Sequence, residues 1–203
     1  PQDELYAGVL REPVFDLVED GGVLTAQIVP LDTSHVAIFP PTVIGDDGRF
    51  PNAPTTGKSS AVPVIFGTVR GVPFYSISLE ATDPQRLVLA GHDLVSTTVD
   101  IAHDNDQVLV NKPVLYARDG RGDIYAYVEL AKAAFDAYPN VYALEVQGFP
   151  GPNGRPLAAL GDVLEHLMRT YGQGLWYQLD RKRVEAARVH LNRIEVGFFV
   201  NEA

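Results

Sequence analysis

Tyr75-Ser76-Ile77-Ser78-Leu79 decides the fold class. Apolar and small polar side chains alternate at period two, the mark of an extended chain with one face buried and one face wet. Upstream, Val62 to Val69 is nearly continuous apolar, and Pro63 confines it to a strand start or a sheet edge. Downstream, Asp83-Pro84 turns the chain into Leu87-Val88-Leu89, and β-rich stretches follow at Val95–Ile101, Val108–Val110, Asp123–Leu130 and Val141–Val146. Ala131–Tyr138 between the last two is too short for its pattern to separate helix from irregular connection. Towards the start, Val14–Val18 and Val23–Val29 flank Asp20-Gly21-Gly22, a hairpin signal, and His35–Phe39 is a third short run. Residues 41–60 are rich in Gly, Pro, Asp and Ser and read as a long loop. A loop of that length marks a functional arm or a linker, here one able to reach a neighbouring subunit.

The last fifty residues change period. Pro156 suits a first helical turn, and Leu157, Leu160, Leu164, Leu167 and Tyr171 recur at spacings of three and four until Gly172. Asp180 is a good N-cap for a second helix with Val184, Ala187 and Leu191 inward. Arg181, Lys182, Arg183, Arg188 and Arg193 then form a basic outer face, and Ile194–Val200 is a closing strand. The expected class is therefore α+β and strand-dominated, with short antiparallel sheets or barrel-like modules, a helix pair near the end and a final strand. Three segments are expected: 1–56 as an N-terminal β segment with its arm, 57–150 as a β-rich domain, and 151–203 as a helix-helix-strand unit packed on it.

The 203 residues are 46% apolar and 21% charged, ordinary for a folded chain, and 18 glycines with 15 prolines imply many turns. A formal net charge of −10 opposes nucleic-acid binding through phosphate neutralisation, while suiting a surface past which DNA slides. Cysteine is absent, which excludes disulfides and thiolate metal sites. No apolar run approaches the roughly 20 residues of a membrane span. Pro1–Leu10 is acidic and lacks the basic start of a signal peptide, and its abrupt opening suggests a piece of a longer chain.

Chemistry is sparse. His166 and His190 fall on the two expected helices without a ligand-type partner four residues on, so neither forms a zinc pair. The densest acidic stretch runs from Asp100 through His103, Asp104 and Asn105 to Asp106. A calcium loop needs glycine at its sixth position and glutamate at its twelfth, and neither frame supplies them. An acidic turn between strands is the better reading. No GxSxG or SxxK motif occurs, and Gly57-Lys58-Ser59 lacks the earlier glycine of a phosphate loop. Arg121-Gly122-Asp123 spells an adhesion tripeptide, but Gly120–Asp123 is also simply a good turn. No catalytic, cofactor or metal residue is assigned. The candidate partner-binding residues are Arg181, Lys182, Arg188 and Trp176.

Three stretches resemble siphophage tail-tip hub proteins. Gly57-Lys58, Pro63, Phe66-Gly67, Val69 and Val72-Pro73 follow the family's order, with one extra residue between the Gly-Lys pair and the proline. Arg86–His92 is similar to the family's next strand, with His103–Asp106 at the turn that ends its hairpin. Asp162–Gly172, Leu179-Asp180 and Glu195–Glu202 are similar to its helix, Tyr-Gly, helix and closing strand. The resemblance covers roughly 57–203, and Tyr6–Val18 echoes the preceding strands. It implies a structural virion protein and not an enzyme: a homotrimeric baseplate hub that closes the viral tail tube, assembled in the host cytoplasm and carried at the tail tip. It further implies contacts with the distal tail protein, the tape-measure protein and receptor-binding fibres, and no cofactor. Complete hubs are usually longer. Two other classes stay open. One is a tail-tip hydrolase of cell wall or polysaccharide, with Asp100, His103 and Asp106 around a cleft. The other is a carbohydrate-binding module using Trp176, Tyr177 and Tyr171.

Overall fold

A computed structural model describes residues 44–45, 49–138, 140–171 and 180–200. Within them the chain is mixed α+β and strand-dominated, with short antiparallel sheets, three helices and a closing strand. The expected runs before residue 44, the Gly172 stop and Trp176 lie outside the described residues.

The strands in chain order are β1 Val64–Phe66, β2 Thr68–Pro73, β3 Tyr75–Ser76, β4 Gln85–Ala90 and β5 Thr98–His103. Then come β6 Gln107–Pro113, β7 Leu115–Arg118, β8 Ile124–Leu130, helix α1 Lys132–Ala137 and β9 Tyr142–Gln147. Helix α2 spans Leu160–Tyr171, helix α3 spans Arg181–Leu191, and β10 is Phe198–Val200. One antiparallel sheet has the order β2-β9-β5-β6, a second β3-β4-β8-β7, and β1 pairs with β10 alone.

The two four-stranded sheets enclose one apolar core, to which β2, β5 and β9 contribute from one sheet and β4 and β8 from the other. Side-chain alternation explains why β4 and β8 read as unbroken apolar runs. Leu87 and Leu89 point into that core, while Val88, Tyr125 and Tyr127 point the other way into a second cluster with Ile44, Phe50 and Ala53. The described part of the 41–60 loop thus packs on its own sheet, with a 3-10 turn at Thr55–Gly57.

Three local expectations are corrected. The Val62–Val69 run is two strands, because Gly67 takes a left-handed φ of 67° and starts a new direction. A side chain at Gly67 would overlap the Val196 carbonyl oxygen, and one at Gly197 would overlap that of Thr68. The alternation at 75–79 stops after Ser76: Ser78 is buried and Leu79 is 58% exposed. Polar side chains replace the ladder there. Ser78 Oγ accepts from the Arg86 amide, and Gln85 Nε2 donates to the carbonyls of Leu79 and Thr82. Helix α2 starts at Leu160 and not at Pro156, since Pro156 bridges Pro150 and Ala159 bridges Glu195 in extended pairing.

At the outer edge of the first sheet, β6 carries a register shift, with Val110 opposite Ile101 but Val108 opposite Ala102. Leu109 is the extra residue of a bulge, and Lys112 and Pro113 follow it.

Candidate functional site

β1 is a wall shared by two cores. Ile65 faces the sandwich, whereas Val64 and Phe66 face a third cluster with Leu157, Val163, Leu167, Val196 and Phe198 from the carboxyl-terminal unit. Its pairing with β10 and its alternating faces follow from three apolar residues in a row, each fully buried or nearly so.

His92, in the loop after β4, holds this wall. The Ile65 amide donates to its Nε2 at 2.9 Å, which leaves the ring proton on Nδ1, donated to the Asp93 carbonyl at 2.7 Å. Both ring nitrogens are therefore committed, and only the neutral ring satisfies them. Burial pushes the His92 pKa down to about 4, the Asp93 carbonyl and carboxylate opposing that shift and His166 adding to it. Phe149 stands between the two histidines, with ring centroids 5.2 Å from His92 and 4.3 Å from His166, and Phe66 contacts all three rings. Burial lowers the pKa of His166 as well. A cavity of about 520 Å³ opens beside His92, lined also by Asp93, Arg49, Arg118 and Asp123. Sequence reading gave His92 no role. Its signal is not local, because Ile65 and Phe149 approach it only in the folded chain.

The helix pair is held by charge. Arg188 was expected on the outer face of α3, and the structure corrects this: it lies between the helices, with Asp162 at 2.8 Å, Glu165 at 2.9 Å and Glu185 at 3.0 Å. Those carboxylates raise its pKa against a desolvation that lowers it. Ala187, expected inward, is exposed instead. Asn192 and Asp162 exchange two hydrogen bonds, Nδ2 to Oδ1 at 2.8 Å and the Asp162 amide to Asn192 Oδ1 at 3.0 Å. Gly161 lets the backbones close here, since a side chain would overlap the Arg188 carbonyl. Asp180 caps α3 as expected, accepting from the amides of Lys182 and Arg183. Arg181 and Lys182 are exposed on its first turn. Trp176 and Tyr177 lie outside the described residues, so the structure does not test the aromatic platform.

The acidic stretch runs from β5 into the turn before β6, where Asn105 and Asp106 take φ of 57° and 61°, as short polar side chains tolerate. Its groups serve the hairpin. Asp100 accepts from Asn111 at 2.8 Å, Asp106 accepts from the Tyr142 hydroxyl at 2.8 Å, and the His103 ring packs on Tyr138 with centroids 4.2 Å apart. The hydrogen bond to Asp106 is the main cause that raises the Tyr142 pKa. Asp100, His103 and Asp106 line none of the cavities beside Arg49, His92 and His166.

The largest of those cavities, about 610 Å³, lies between the 49–52 segment and the second sheet. Arg49, only 4% exposed, ion-pairs with the fully buried side chain of Asp119 and lies 3.7 Å from Asp123. Arg86 pairs with Glu129 at 3.3 Å on the cavity rim and lies over the Tyr127 ring. The cations and anions here offset one another within the protein. Asp119 also accepts from the amides of Arg121 and Asp123, which makes the Arg121-Gly122-Asp123 tripeptide part of a tight turn.

Among the described residues no three His, Asp or Glu side chains are grouped to hold a metal ion, and no helix is long and apolar enough to cross a membrane. No protein-family model, curated protein or solved structure matches the chain.

Proposed function

We propose that the chain is a structural component of a tailed-phage tail tip, a segment of the baseplate hub and not an enzyme. In this reading it helps to close the tail tube and meets the distal tail protein, the tape-measure protein and fibres, as a homo-oligomer with three subunits favoured. One observation carries the proposal: the stretches that resemble hub proteins interlock in space. Gly67 of the first stretch abuts Val196 and Gly197 of the last, β1 pairs with β10 from those same stretches, and His92 of the middle one binds Ile65. Their glycines are sites of backbone contact and their histidine is a backbone ligand, so these residues build a frame. That role suits a protein that acts through the surfaces its frame presents.

Light scattering on the purified chain, paired with electron microscopy, tests this. The expected result is a closed assembly with a mass near three subunits, and no turnover of peptidoglycan or surface polysaccharide. A monomer at every concentration that hydrolyses a cell-wall substrate would overturn it.

A further inference from the structure

We infer that His92 is an acid-sensitive pin which, on protonation, releases β1 together with β10 and the helix pair while the two-sheet sandwich stays folded. The inference goes beyond the tail-tip reading and does not depend on it.

The geometry makes the pin specific. Ile65 N–H aims at Nε2, so a proton arriving there places two donors face to face. Nδ1 offers no alternative acceptor, because its proton is already given to Asp93. The ring cannot keep its place and carry charge at once. What it pins is a strand that both cores share, with Ile65 on one side and Phe66 on the other, as β10 does with Phe199 and Phe198. On the sandwich side, β4 and β8 keep their own ladder of five paired positions from Gln85↔Leu130 to Ala90↔Ala126, none of which involves β1. On the other side, β10 pairs with β1, and α2 reaches β1 through Val163 and Leu167. The carboxyl-terminal unit therefore loses one of the two strands it shares with the sandwich when β1 moves, and β10 is left with Phe199 as its hold.

Five titratable or charged groups face the ring. Asp93 lies beside it in the loop and favours the proton, while His166 on α2 opposes it across Phe149. Arg49, Arg118 and Asp123 line the cavity on its open side, two cations against one anion.

Hydrogen exchange on the intact chain, compared as protection factors at pH 7 and pH 4, reads the release. Protection of the Ile65 amide and of α2 is expected to fall about a hundredfold further than that of Val88 and Val128, the fold-change that a ring held at about 4 against an ordinary 6.5 imposes on a linked opening. In His92→Gln, whose side-chain oxygen accepts from Ile65 without titrating, that differential is expected to vanish. In His166→Gln it is expected to persist, at a higher His92 midpoint. Equal loss of protection in both regions, or an unchanged differential in His92→Gln, would overturn the inference. Should His92→Gln fail to fold, the wild-type chain still decides: by NMR the His92 ring and the Ile65 amide must titrate with one midpoint, and separate midpoints overturn it.

Discussion

Between β4 and α3 the pattern of burial inverts. In β4 every residue but Arg86 is buried, and its apolar side chains fill one core on each face. In α3 no residue is fully buried, and the inward position is occupied by an arginine among three carboxylates. The sandwich is cohesive through apolar area, roughly 25 cal/mol for each Å² removed from water, a term that neither salt nor moderate acid weakens. The helix pair is cohesive through charge and the Asn192–Asp162 hydrogen bonds, and salt weakens the charge pairing. One chain thus holds a robust body and a responsive appendage, joined through β1.

Truncating the body should have the largest effect. Leu89→Ala is expected to cost ~2–5 kcal/mol, shifting the urea midpoint of the whole molecule and not of one region. A change seen in the helices alone would break the comparison.

Acid should come next. The folded His92 pKa of about 4 lies below the ordinary 6.5, so between those values the unfolded chain binds more protons than the folded one. Stability is full above pH 6.5, falls as pH drops through the window to about 4, and the loss reaches roughly 3 kcal/mol. Chemical denaturation across that range, with and without His92→Gln, measures it. A stability independent of pH there would contradict the burial of the neutral ring.

Smaller again is Arg188→Met. The guanidinium is about a third exposed, so solvent screening holds its expected cost to about 1 kcal/mol. Loss of protection in α2 and α3 with the sandwich unchanged would sharpen the contrast, and about 1 M salt should reproduce part of it in the wild type. Asp180→Ala is the mildest, about 1 kcal/mol or less confined to the first turn of α3, read as faster exchange of the Lys182 and Arg183 amides.

What sequence reading recovered follows the same divide. Leu87-Val88-Leu89 and Asp123–Leu130 announce strands because apolar density is local information, and the Asp180 cap is legible because its bonds reach only two and three residues ahead. The break at Gly67 was not legible, since the cause is the distant Val196 carbonyl. Arg188 was placed outward because a helical wheel counts Ala187 as the apolar position, and the carboxylates that draw the arginine inward sit on another helix. Ser78 and Leu79 exchanged their expected faces because the Gln85 side chain, not the alternation, organises that turn. The His92 pin escaped for the same reason: its partners meet it only through tertiary structure.

The irregularity in β6 carries one more consequence. A smooth outermost strand would invite further strands to zip onto it without limit, a hazard wherever many copies crowd at one place. Leu109 breaks the spacing of that border, and Lys112 and Pro113 leave a charge and a missing donor where a newcomer would dock. Growth by sheet extension is discouraged on this side, so copies gathered closely stay discrete units instead of fusing into fibres.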